Sequence, residues 1–222
     1  MKKLSVLAFL VCLTFATTLQ AQTKIELMHE AGISNLFLRY EFGINTGGVS
    51  TVEVTDAEAF YGINYSPRLN FFDESGDGSS SFSINLNNDL LFGNLISRTL
   101  EKQSLAFATN LSFNLNLGAG ATRNTLNQFG GFMGIGYTYS NINLININQF
   151  NRVIEDIVTD PTATPDFSKA ITPLQGIYFH LGGRMKLGSG VITLEGYTTL
   201  SPELNGVYTI GIRAQYGLGI AF

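Results

Sequence analysis

His180 is the residue best placed for proton chemistry in this chain, and Glu195 lies fifteen positions further on, where a tight hairpin would bring the two side by side. A histidine steered by a carboxylate is two thirds of an acyl-transfer triad. The third part is missing from the numbering. No serine falls in evident reach of the pair, and no Gly-x-Ser-x-Gly elbow occurs. The spacing therefore predicts a hydrogen-bonded structural histidine, not a catalyst. His29, the other histidine, lies far upstream.

Other chemical motifs are equally thin. Asp73, Asp77 and Gly78 resemble a calcium loop only in composition, since the ligand spacing and closing glutamate are absent, so a plain turn is expected and no metal site. Gly134 with Gly136, and Gly217 with Gly219, lack the downstream helix that a nucleotide loop needs. No cofactor is implied. Cys12, the single cysteine, sits in an apolar stretch behind Lys2 and Lys3 that runs to about Leu19, with Leu19-Gln20-Ala21 as a small-residue cleavage pattern. Residues 1–21 thus read as a cleaved export signal, and the remaining chain, 22–222, has no thiol for disulfide, metal or nucleophilic work. It carries 11 basic against 17 acidic residues, which offers nucleic acid no footprint.

What remains are charged residues embedded in alternating segments: Arg39, Glu41, Arg68, Asp89, His180, Arg184, Lys186, Glu195 and Arg213. Their positions come from strands. Eight stretches alternate large apolar with small or polar residues, at about 35–44, 58–71, 81–92, 105–117, 129–142, 176–187, 191–200 and 208–222. The fourth is nearly unbroken, with Leu105, Phe107, Leu111, Phe113, Leu115 and Leu117 facing away from Ala106, Ala108, Asn110, Ser112, Asn114 and Asn116. In the first, Leu36, Leu38, Tyr40 and Phe42 form the apolar set and Phe37, Arg39 and Glu41 the other.

Beyond the signal, nothing approaches the apolar run of a spanning helix. Yet 45% of the chain is hydrophobic and only 14% charged, well below the quarter usual for soluble domains. The polar face is Asn, Ser, Thr and Gly, where a water-facing exterior would be rich in Lys and Glu. The polar face is therefore the inside of a narrow barrel and the apolar face meets lipid. Glycines at 134, 136, 182, 211, 217 and 219 are expected to make room inside for long arginines. A buried charge is costly unless paired, so the charged set is expected to form a salt-bridged plug.

Connections supply a further test. In an up-and-down barrel with both termini in the periplasm, the turns after strands two, four and six are periplasmic and should be short. Gly188-Ser189-Gly190 fits, Asp73 to Ser79 fits, and Gly118 to Gln128 is long. The longest insert, about 143–173, falls on the external side, where Phe150, Val153, Ile154, Ile157 and Val158 recur at helical spacing before Asp160-Pro161.

The export signal, eight strands and a terminal strand ending Tyr216, Leu218, Ile220, Phe222 resemble the small bacterial outer-membrane barrels of the OmpA/OmpX type. The fold class expected is all-β, an eight-stranded antiparallel up-and-down transmembrane β-barrel occupying 22–222, of which the resemblance covers about 31–222. The resemblance implies placement in the outer membrane of a Gram-negative cell, outer-membrane lipids and the barrel-assembly machinery as partners, and Tyr216, Leu218, Ile220 and Phe222 as the assembly signal. The chain is read as a non-enzymatic envelope protein whose external loops, mainly 143–173, contact an extracellular ligand, partner or surface glycolipid, with a passive cap over the barrel mouth as the equal alternative for that insert. A porin-like narrow channel for small solutes or hydrophobic ligands is one alternative, and a lipid-modifying outer-membrane enzyme is another.

Overall fold

The computed structural model describes residues 23–45, 51–73, 77–95, 103–160, 162, 164–202 and 207–221. The export signal, 1–21, and Phe222 of the assembly signal lie outside the described residues.

Eight antiparallel strands follow one another around a closed barrel: β1 (Thr23–Asn45), β2 (Thr51–Asp73), β3 (Ser80–Leu95), β4 (Gln103–Gly118), β5 (Phe129–Ile145), β6 (Ile171–Leu187), β7 (Gly190–Leu200) and β8 (Val207–Ala221). Closure is made by β8 returning to β1, from Glu26 opposite Ala221 to Tyr40 opposite Val207. A closed ladder leaves no free edge along its length. Between β5 and β6 lie helix α1 (Ile147–Thr159) and a short 3₁₀ turn, Phe167–Ala170. Asn146 caps α1 by accepting from the backbone N–H of Gln149, and at its far end Thr162 donates to Asp160, holding that carboxyl below its usual range. The apolar helical spacing ends where the sequence reading placed it, at Asp160.

Alternation decides which side chains face out. Ile63, Phe82, Leu111, Phe113, Ile135, Phe179, Leu194 and Ile212 are all exposed, while Arg68, Asn87, Asn110, Thr193 and Arg213 between them are buried. The wall is greasy outside and polar inside.

β1 corrects the expectation. It begins at Thr23, twelve residues before the expected start, and its parity is reversed: Leu36 and Leu38 point inward, and Phe37 and Arg39 outward. The cause is that both faces are apolar at this height. Leu36 and Leu38 join Phe60, Leu91, Ala106, Ile142, Leu144 and Leu174 in an apolar cluster that fills the barrel interior toward the 145–171 end. Local alternation therefore carries no parity there. Cross-strand pairing sets it, because residues directly opposite share a face: Ser34 lies opposite inward Arg213, and Arg39 opposite outward Tyr208. Arg39 therefore does not enter the lumen network. The side chain of Glu41 lies outside the described residues.

Candidate functional site: the filled lumen

The polar interior is built in two tiers below the apolar cluster. In the upper tier Arg213 of β8 makes a two-pronged contact with Asp89 of β3, Nε to Oδ1 at 3.0 Å and Nη2 to Oδ2 at 2.6 Å. Its Nη1 donates to Glu195 of β7 at 2.5 Å, and its guanidinium stacks 3.8 Å from the Tyr197 ring centre. Charge-assisted, bidentate and stacked on an aromatic face, this is the geometry that suits arginine and not lysine. Tyr178 donates to Glu195 Oε1 at 2.6 Å. Asn64 and Asn110 donate to the two oxygens of Asp89. Asp89 is thus contacted at both oxygens, and Glu195 gathers its contacts on Oε1.

His180 sits within this tier, Nδ1 3.2 Å from Glu195 Oε1 and Nε2 2.7 Å from Asn114 Oδ1. The hairpin brings His180 and Glu195 together as their spacing implies, but the imidazole is wholly buried. Tyr178 and Phe132 rings pack against it at 4.8 and 5.5 Å. A substrate has no approach to it through those groups. The arrangement fixes a ring; it does not present one.

The lower tier joins Arg68 of β2 and Arg184 of β6 around Glu30 of β1, at 3.1 and 3.8 Å. Both guanidiniums also converge on Asn116 Oδ1, at 3.1 and 2.8 Å, and Arg184 lies 4.0 Å over the Phe132 ring. Lys186 stands at the lower margin, half-buried, donating to the carbonyl of Thr125 at 2.9 Å. Of the expected charged set, Arg68, Asp89, His180, Arg184, Glu195 and Arg213 are brought together inside, Lys186 borders them, and Arg39 is outside. Sequence reasoning missed Glu26, Glu30, Tyr178 and Tyr197. The signal for Glu30 is Ile25, Leu27, Ala31 and Ile33 recurring at every second position but for His29, just ahead of the stretch at 35–44.

The lower end is closed by the long turn between β4 and β5, which folds back into the opening. Gly118 and Gly120 adopt φ of +69° and +74°, left-handed values open to glycine, and reverse the chain inward. The strap then ties to four strands. Arg68 donates to the Gly120 carbonyl at 2.8 Å, Ser81 to that of Ala121 at 2.6 Å and Lys186 to that of Thr125, while Glu26 accepts the N–H of Arg123. Ala119 and Ala121 are completely buried. Length that looked excessive for a turn is thus a stopper.

Of the expected glycines, Gly219 lies against the Arg123 side chain as anticipated, and others serve differently. Gly211 lies under the Tyr197 ring, Gly134 against His180 and Asn114, Gly182 against Phe132 and Gly217 against Glu30, so they accommodate rings and carboxylates; Gly120 is the glycine that meets Arg184. A side chain at 211 would occupy the Tyr197 ring, whereas one at Gly196 meets nothing within 4 Å. Gly211→Val is therefore expected to cost about 1–3 kcal/mol and Gly196→Val close to none. Urea titration of the folded, fast-migrating band would measure both, and equal midpoints would contradict this packing.

No protein-family model and no curated protein matches the sequence. Among solved structures, the barrel is similar to the attachment invasion locus protein Ail of Yersinia pestis, at 10% identity and TM-score 0.38, covering 86% of this chain and 98% of that one. It is similar to Neisserial surface protein A, NspA, at 6% and 0.43, covering 88% and 97%. It is also similar to the outer membrane protein OprG from Pseudomonas aeruginosa, at 8% and 0.41, covering 91% and 99%. A closed eight-strand antiparallel ladder, an apolar outer wall and a polar lumen packed with ion pairs make this chain a small, filled, eight-stranded β-barrel.

Proposed function

We propose that this chain is exported through a cleaved signal, resides in the bacterial outer membrane, and acts there without enzymatic chemistry through its external loops. The observation that carries this reading is the closure of the lumen at three levels: the apolar cluster, the Arg213 tier and the strap of residues 118–128. A barrel filled in this way leaves its surface to do the work, and eight strands enclose only enough space for side chains. The insert 143–173 supports the same reading. It carries a capped helix, α1, whose Val153 is buried while Val158 is 64% exposed, so the loop is an ordered platform above the barrel. In this orientation the β2–β3, β4–β5 and β6–β7 turns face the periplasm.

Replacing residues 147–169 by a short Gly-Ser turn is expected to preserve heat-modifiable migration and abolish attachment of expressing cells to whatever surface they bind. The intact protein in planar bilayers is expected to give no steady ion steps. Steady conductance that changes on Arg184→Gln or Glu195→Gln would overturn the closed-lumen reading in favour of a conduit, and cells whose lipid A changes with the gene would favour an enzyme.

A further inference from the structure

At the strap end two cationic side chains border a small recess whose glycine floor abuts Glu26 and Glu30, and exposed apolar side chains of the strap, β5 and β6 belong to the same end. Arg123, Lys186, Thr122, Thr125 and Ser189 line a small recess at this end, floored by glycines of β8. Lys186 donates one N–H to the Thr125 carbonyl, leaving two of its three N–H donors for a further acceptor. The neighbouring carboxylates are occupied: Glu26 takes the Arg123 backbone N–H, at 2.9 and 3.1 Å, and Glu30 takes Arg68. The recess itself holds no more than a water, and the Thr122 hydroxyl is given to the Gly78 carbonyl, but Lys186, Arg123 and the exposed Ser189 at its mouth offer donors that suit one oxyanion group seated there.

At the same end, Leu126 of the strap is 88% exposed, Phe129 72% and Leu187 53%, and the Tyr216 ring lies against Gly190 at the rim of the recess. Exposed apolar groups and a tyrosine flanking cations are the pattern of a membrane boundary, where side chains enter the acyl region and cations meet head groups. Residues that would be a liability in water have a partner in lipid.

Resting on the outer-membrane reading above, we infer that this end of the barrel binds the head-group phosphate of an inner-leaflet phospholipid, Lys186 and Arg123 taking the phosphate and Leu126 and Phe129 lying along the acyl chains. The strap is then a lipid-binding element as well as a stopper.

The test uses the full-length mature barrel folded in maltoside micelles, which hold no phosphate, titrated with phosphatidylglycerol and followed by native mass spectrometry. One lipid retained per barrel, displaced by inorganic phosphate, and retention about tenfold weaker in R123Q/K186Q are expected. Should that variant fail to fold, Ser189→Asp sets a carboxylate into the recess from an exposed turn and is expected to lower retention equally. Diacylglycerol held as well as phosphatidylglycerol, or retention unchanged in these variants, would overturn the site. Inorganic phosphate bound without any lipid retained would overturn the lipid assignment. These results leave the barrel reading intact, because heat-modifiable insertion into micelles is scored separately; failure to insert would sink both.

Discussion

Arg213→Met is expected to lose about 3–5 kcal/mol of stability, enough to leave little of the fast-migrating folded band in micelles at moderate urea. The reason is electrostatic bookkeeping inside a dry tube. Removing the guanidinium strands Asp89 and Glu195, which are 1% and 2% exposed, without the cation that both contact. Asn64, Asn110, Tyr178 and His180 still contact those oxygens, but neutral donors do not cancel two buried negative charges. Combining the change with Asp89→Asn and Glu195→Gln is expected to recover most of the loss, since the upper tier then holds no carboxylate left without its cation, while the Arg68–Glu30–Arg184 tier is untouched. An Arg213→Met barrel with the wild-type urea midpoint would mean that the network contributes nothing to holding the strands together.

Leu111→Arg is expected to cost about 2–4 kcal/mol in a bilayer, with the loss read as a lower unfolding midpoint of protein reconstituted in vesicles. Leu111 lies at the middle of β4 and is 48% exposed, opposite Leu86 of β3 and Tyr137 of β5 on the outer wall. If this wall met water, arginine at so exposed a position would change stability by no more than about 0.5 kcal/mol either way. The size of the effect thus identifies the solvent around the barrel. A neutral result would refute the membrane assignment while leaving the strand order untouched.

The alternation of β4, from Leu105 to Leu117 against Ala106 to Asn116, settles both its strand character and its facing without any tertiary information, because each face meets one kind of environment along its whole length. The terminal strand reads in the same way from Tyr208 to Leu218. So do the eight-strand count, the helix ending at Asp160 and the hairpin that brings His180 to Glu195. These are local properties: periodicity, a proline after the helix, a glycine turn.

Three things were beyond the sequence because they depend on contacts between distant residues. The facing of Leu36, Leu38 and Arg39 follows from pairing with β8, since an apolar cluster inside the barrel makes both faces of β1 alike. The identity of Arg213's partners follows from closure, which brings Asp89 from 124 residues away to 2.6 Å. The role of residues 118–128 follows from the cavity beneath them, which only a finished barrel creates: a segment of this composition is an ordinary turn until Arg68, Ser81 and Lys186 offer their donors to its carbonyls. Pattern specifies which side of each strand is greasy wherever one side is dry and the other polar; closure of the sheet decides what meets what in the middle.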